Sequence, residues 1–272
     1  MSGYLRSIFI VFIFLFICAY QSMAGLIVER ERYEKGGGER VSGTIYIQEN
    51  KLKFFDEEGQ FYAIFDLNTG EMIQVDNLSR TYSTTRADDY FAYYKQYAQR
   101  MEAAMRQQLS ELPPNKREQA EAMMKRQGIA LPGSNGKSSD ISSKKTSDTK
   151  KIAGYESVKY EIYVDGRLEE EIWITSDERF KQEVDIEKMT QYLSELRAID
   201  HSLGGNGNSD AKAYVEVFSS GFPMKTIDYP VYGNEIIEQT VKVSNKNIDN
   251  NEFTAPLGYR KVELKEMLQL TN

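Results

Sequence analysis

Few residues in this chain stand in arrangements that perform chemistry. His201 is the single histidine, set between Asp200 and Ser202. A histidine base needs a nucleophile within reach and a third group to orient it, and no G-x-S-x-G motif supplies the nucleophile. At a helix C-terminus its cationic form is favoured by the dipole, and a surface residue of that kind is the expectation. "NKNIDNNEF", Asn245 to Phe253, places oxygen ligands at alternate positions as a calcium loop does. It lacks the glycine at the sixth position and has Pro256 where the bidentate glutamate belongs. "NGNSDA", from Asn206, fails in the same way. Glu169, Glu170 and Glu171 alternate across a strand, so they cannot converge on one ion; they read as a solvated edge that discourages stray pairing. "KGGGER", from Lys35, lacks the flanks of a phosphate-cradling loop and reads as a turn. The expectation is a protein that is not an enzyme, with no catalytic residue, no metal and no cofactor.

The start of the chain points to export. One arginine precedes an apolar run from Ile8 to about Tyr20, followed by Ser22-Met23-Ala24. That is the order of a secretory signal, expected to occupy residues 1–24 with cleavage near Ala24. The single Cys18 lies inside it. Ile17 is too bulky for a lipoprotein signal, and the exported protein would hold no disulfide. The expected location is the periplasm, with peripheral contact to the envelope and no transmembrane segment in the mature form. A net charge of −7 argues against nucleic acid as a partner, since phosphate binding wants a basic face.

From Gly25 to about Thr85, short runs of β-branched and aromatic residues alternate with turn chemistry such as "NTG" and "DNLS", predicting an antiparallel meander. From Arg86 to Leu112 the apolar residues recur every three or four positions, at Tyr90, Tyr94, Tyr97, Met101, Met105 and Leu109, one face of a long helix. Pro113-Pro114 ends it, and a second helix is expected from Asn115 to Gln127. The Ser/Lys/Asp/Gly tract of residues 132–150 cannot offset its ordering entropy by burial and reads as a flexible linker. "SVKYEIYVD" and "EEEIWIT", joined at Asp165-Gly166, read as a hairpin carrying the single Trp173. Thr175 to Glu178 has the form of a capping box. The stripe Ile186, Met189, Leu193, Leu196, Ile199 and Leu203 predicts another helix. The stretches Lys212–Tyr229, Asn234–Asn245 and Gly258–Leu268 are expected to supply the closing strands. Strands, helices, a hairpin, a helix and strands again make an α+β class.

Apolar surface remains to be placed. In "FYAIFDL", Phe61, Ala63 and Phe65 fall on one face and Tyr62 and Ile64 on the other, so both faces want cover. Two greasy faces fit either a closed core or a lined pocket, and methionines on the long helix suit irregular space.

"FDLNTGEMIQVDNLSRTYSTT", "KIAGYESVKYEIYVDGRLEEEIWIT" and "FTAPLGYRKVEL" together resemble a family of uncharacterised exported bacterial envelope proteins. The matching positions are Asp66, Gly70, Tyr82, Gly154, Tyr155, Trp173, Pro256, Gly258 and Tyr259. That family looks like a branch of the LolA-type lipoprotein-carrier fold. The resemblance implies a strongly curved antiparallel sheet, a half-open barrel, with helices covering its concave face. It implies one domain over residues 25–272, into which the helices of residues 86–131 and the linker of 132–150 are inserted. It also implies a non-enzymatic protein that binds a hydrophobic ligand between sheet and helices, with lipid or lipoprotein acyl chains as partner. The candidate ligand or lid residues are Tyr90, Tyr94, Tyr97, Met101, Met105, Met189, Leu193 and Leu196. Gly154, Tyr155, Trp173, Pro256, Gly258 and Tyr259 are expected to determine the fold. The alternative is an interaction or scaffold module with a filled core, docking another envelope protein.

Overall fold

The structure is a computed structural model that describes residues 25–55, 59–126, 140–203, 212–230 and 233–267, without the side chains of 125–126 and 197–203. The expected signal segment with Cys18, the Asn206 loop and the His201 side chain lie outside the described residues.

Among the described residues twelve strands form one sheet. The first meander runs β1 Leu26–Glu34, β2 Val41–Gln48, β3 Lys51–Phe55, β4 Phe61–Asp66, β5 Glu71–Asp76 and β6 Thr81–Arg86. The second runs β7 Ile141–Ile152, β8 Tyr155–Val164, β9 Arg167–Thr175, β10 Phe222–Asp228 and β11 Ile236–Asn245. Sequential neighbours pair antiparallel within each meander, and β1 pairs with β11 to join the two. A two-residue β12, Arg260–Lys261, adds parallel to β6. The sheet stays unclosed, with β12 and β7 at its ends. It curls strongly in the second half, where β7 returns to within 8 Å of β11 although three strands lie between them.

Turn chemistry explains the tight connections. Glu49-Asn50, Ala153-Gly154 and Asp165-Gly166 all have positive φ at both residues, the geometry that matches strand twist in a two-residue hairpin.

The helices are α1 Ala87–Glu111, α2 Pro114–Arg126, α3 Glu178–Glu183, α4 Ile186–Leu203, α5 Lys212–Phe218 and α6 Leu264–Met267. Asp88 and Asp89 sit in the first turn of α1, where the dipole favours them. Its C-terminus is closed by Arg117 of α2, which donates to the carbonyls of Leu109, Ser110 and Leu112 at 2.9, 2.7 and 3.3 Å. The last carbonyls of a helix lack intrahelical partners, and here only that of Leu109 also accepts from a backbone N–H, that of Leu112 at 3.3 Å.

Several expectations are corrected. Residues 141–150 of the expected linker form most of β7. A strand at the end of a sheet is held by its backbone ladder, so it can be polar, and its four lysines protect the open edge. Residues 212–218, expected as strand, form α5, because Ala213, Tyr214, Val217 and Phe218 share one helical face and are buried. The cap before α3 is Asp177, which accepts from the Arg179 N–H at 3.0 Å, and not Thr175. Gly258–Leu268 gives only the two residues of β12 and then α6. Glu170 is no solvated edge: β9 lies between β8 and β10, and Glu170 is buried, accepting from the Tyr214 hydroxyl at 3.2 Å.

Among the described residues three clusters make the core. The main one joins Leu26, Val28, Ile45, Ile47, Leu52, Phe65 and Met72 of the sheet to Phe91 of α1, Phe180 of α3 and Met189 of α4. A second lies between β8–β9 and α5. The third covers the opposite face of β4 and β5, where Ile64, Ile73 and Val75 meet Ile248 and Phe253 of the C-terminal segment. Residues on both faces of β4 and β5 enter the core, while Phe61 at the start of "FYAIFDL" stays 43% exposed.

Candidate binding site

The expected ligand and lid residues divide into two groups. Met189 is buried in the main core, and Tyr90, Tyr94, Leu193 and Leu196 pack against it. Their neighbourhood is filled by rings: Phe180 stacks on Phe222 at 4.4 Å between centroids, Tyr155 meets Phe180 at 5.3 Å, and Tyr192 lies 5.8 Å from Phe65 and 6.0 Å from Phe91. Tyr97, Met101 and Met105 stand on the outer part of α1, beyond that core, and Met101 is 46% exposed. So α1 is anchored by its first turns, reinforced by the Lys95–Glu195 ion pair at 2.7 Å, and its second half runs out with α2.

A concavity does exist, but farther along the same face of the sheet. Side chains alternate across a strand, so Leu26, Val28, Arg30 and Arg32 of β1 share the helix-covered side. The register places Val28 opposite Ile45, Arg30 opposite Gly43 and Arg32 opposite Val41, while Ile45 pairs onward with Phe54. Leu26 and Val28 are buried beneath the helices; two residues on, the same face reaches a recess of about 290 Å³. Its apolar part is Val41, Ile45, Phe54 and Phe55, and its charged part is Arg30, Glu31, Arg32 and Glu238, two charges of each sign. Arg30 Nη1 pairs with Glu238 Oε1 at 2.8 Å, with the arginine side chain only 13% exposed. Gly43 lines the recess, and a Cβ placed there meets nothing within 4 Å. The arrangement is an apolar floor bordered by charges of both signs, suited to holding a molecule that is oily along its length and polar at its tip.

None of these recess residues stood out in the sequence. The signal was present in the alternation: β1 passes from Leu and Val to Arg and Arg on one face, and β2 interrupts Val41, Ile45 and Ile47 with Gly43.

Several polar groups elsewhere are engaged in structure. Lys159 lies between Asp148, Glu161 and Glu171 at 2.9, 3.2 and 3.7 Å. The hydrogen bond to Asp148, helped by Glu161, holds its ammonium well above the usual lysine range. The Glu161 carboxyl is held low by the Tyr163 hydroxyl and by Lys159. Burial pushes the Tyr229 phenol up to about 12, with Glu171 beside it. Burial likewise raises the Glu183 carboxyl, which accepts from the Glu49 N–H at 3.2 Å and so ties α3 to the β2–β3 turn. Asp249 of the calcium-like stretch caps a 3-10 helix, Asn250–Phe253, by accepting from the Asn251 N–H at 2.9 Å. Among the described residues no group of His, Cys, Asp and Glu gathers to hold a metal ion.

The residues expected to set the fold occupy special positions. Gly154 has φ +88° in the β7–β8 turn, and Tyr155 lies between Phe180 and the Arg179 guanidinium, 4.2 Å from its ring. Trp173 packs against the main core, its indole N–H buried without a hydrogen-bond partner. Gly258 has φ +78° in the turn where the Tyr259 N–H donates to Pro256 O, and the Tyr259 hydroxyl donates to Asn77 Oδ1 at 3.0 Å.

A family model described as a domain of unknown function (DUF4412) matches residues 81–259, more than half of the chain. The chain belongs to the DUF4412 family. The matched range runs from β6 to Tyr259 and so holds Tyr82, Gly154, Tyr155, Trp173, Pro256, Gly258 and Tyr259. In this DUF4412 protein the recess draws Glu238 from the matched range and the rest of its lining from β1–β3, outside it. No curated protein matches the sequence. Among the described residues no helix is long and apolar enough to cross a membrane.

Proposed function

We propose that this DUF4412 protein is a non-enzymatic, exported envelope protein of the LolA-like half-barrel type. It binds a hydrophobic ligand, a lipid or a lipidated partner, on the helix-covered face of its sheet. The observation that carries this reading is the recess of about 290 Å³ that continues the main core past the helices, floored by Ile45 and Phe54. Burial of alkyl groups there contributes about 0.8 kcal/mol for each methylene. This site lies apart from the region between helices and sheet that the resemblance implied, where Phe180 stacks on Phe222 and Tyr192 meets Phe65.

Native mass spectrometry of protein purified from its own envelope tests the reading. A mass increment that disappears on solvent extraction is the expected result, and a clean apo mass together with no uptake of added single-chain lipid overturns it. The packed ring cluster favours a second reading, an interaction module with a filled core. Under that reading crosslinking recovers a partner protein and no lipid is extracted.

A further inference from the structure

Three large apolar side chains that stay exposed gather at one end of the first meander. Leu257 is 98% exposed, Leu78 69% and Phe61 43%. Asn77 ties their three segments together. Its backbone N–H donates to Gln60 O and its side-chain amide to Gly59 O, both at 2.8 Å, while its Oδ1 accepts from the Tyr259 hydroxyl at 3.0 Å. Both leucines stand on turns that hold themselves without them. Asp76 accepts from the Leu78 and Ser79 N–H groups at 2.8 and 3.1 Å, and the Tyr259 N–H donates to Pro256 O across Gly258. Polar residues at the two tips would serve those turns as well, so the fold does not account for the leucines. A lone exposed leucine is ordinary, but three apolar groups on mutually anchored segments form a patch. Just behind it the Arg80 guanidinium lies 5.4 Å from the centre of the Tyr259 ring. An apolar tip backed by a tyrosine and a long cation follows the order in which a bilayer presents hydrocarbon, interface and headgroups. Three partly exposed side chains fall far short of the ~800 Å² that each partner buries in a stable protein complex, whereas affinity for a lipid surface grows with each apolar group inserted. The tip is not basic: Glu263 and, in the sequence, the three acids of residues 56–58 stand against Arg80 and Lys261, so insertion rather than charge has to hold it. We infer that this tip docks on a lipid surface, with Leu78 and Leu257 entering the hydrocarbon and Tyr259 and Arg80 at the level of the headgroups. The docking needs no guest in the recess, so it stands or falls apart from the proposed binding role.

The test floats the full exported chain with vesicles of phosphatidylcholine alone and with vesicles that also contain phosphatidylglycerol. Comparable binding to both is the expected result. Leu78→Ser and Leu257→Ser are each expected to weaken it about tenfold on either vesicle, since full burial of a leucine is worth at least that, with the urea midpoint unchanged because neither side chain is buried. Leu257→Cys carrying an environment-sensitive dye, in an exported chain with no other cysteine, is expected to shift its emission to the blue on either vesicle. Absence of binding to both vesicles, binding only where phosphatidylglycerol is present, or undiminished binding of the Leu78→Ser, Leu257→Ser double variant overturns the proposal. A crosslinker on the Leu257→Cys protein that captures another protein, with vesicles ignored, overturns it in favour of a protein-docking tip.

Discussion

Filling the recess from its own wall separates binding from folding. Gly43 sits in the middle of β2, its position faces the recess, and a Cβ there meets nothing within 4 Å, so Gly43→Phe projects a ring into the space a guest would use. At roughly 30 Å³ per water, about 290 Å³ corresponds to about ten water volumes. A guest occupying half of it buries about five methylenes, worth about 4 kcal/mol at ~0.8 kcal/mol each. Denying that burial raises the dissociation constant by two to three decades, at one decade for about 1.4 kcal/mol. The fold is expected to gain slightly, since a strand glycine costs roughly 0.5–1 kcal/mol of chain entropy and aromatic residues suit strands. Displacement of a fluorescent acyl probe measures the first effect, and the urea midpoint measures the second. Unchanged probe affinity in a Gly43→Phe protein of undiminished stability would refute the placement of the guest.

Met101→Ala is expected to leave both probe affinity and stability within about 0.5 kcal/mol of the parent, because Met101 lies 46% exposed beyond the core; a loss of capture would restore the outer part of α1 as a lid. Phe180→Ala, at a side chain with no exposed surface between Tyr155 and Phe222, is expected to cost about 3–5 kcal/mol by urea denaturation. Gly221 has φ +149° and a Cβ there falls 2.0 Å from the Thr175 carbonyl oxygen, so Gly221→Ala is expected to destabilise by on the order of 3 kcal/mol, read in the same assay. Glu161, held low by Tyr163 and Lys159, stabilises fully above its unfolded pKa of about 4.5 and loses that contribution as pH falls through its folded value; urea midpoints stepped through that range should show a flatter acid limb in Glu161→Gln. Lys159, raised chiefly by Asp148, acts at the other end, its contribution present below about 10.5 and lost as pH rises through its folded value.

The elements were legible where a local rule decided them. The helix expected from Arg86 to Leu112 is Ala87–Glu111, because a Tyr and Met stripe at helical spacing has few other uses and Pro113-Pro114 cannot continue it. The hairpin at Asp165-Gly166 formed as its turn residues dictate, at φ +50° and +79°. Residues 141–150 were misjudged on composition. Burial was asked to stabilise a segment whose stability comes from its ladder to β8 and from the Lys159–Asp148 ion pair across it. The "KAYVEVF" stretch was misjudged on propensity, since β-branched and aromatic residues also serve a short helix when they fall at positions one, four and five apart.

The candidate site was illegible for a different reason. An apolar stripe in sequence marks what a protein wants to bury, and here the folded chain buries most of its own: Tyr90, Tyr94, Met189, Leu193 and Leu196 meet one another and the sheet. Surface left over for a guest is set by where the covering elements stop. The helices reach Val28 and Ile45, and the next cross-strand row holds Arg30 and Gly43. A glycine opposite an arginine, with Val41 and Arg32 beyond, has no signature of its own in either strand. It becomes a recess only once β1 is paired with both β2 and β11, bringing Glu238 and Thr240 to Arg30 from more than two hundred residues away. The register of one central strand therefore carries the site, and a shift of that register by a single residue would turn Arg30 and Arg32 to the opposite face and put Glu29 and Glu31 in their place.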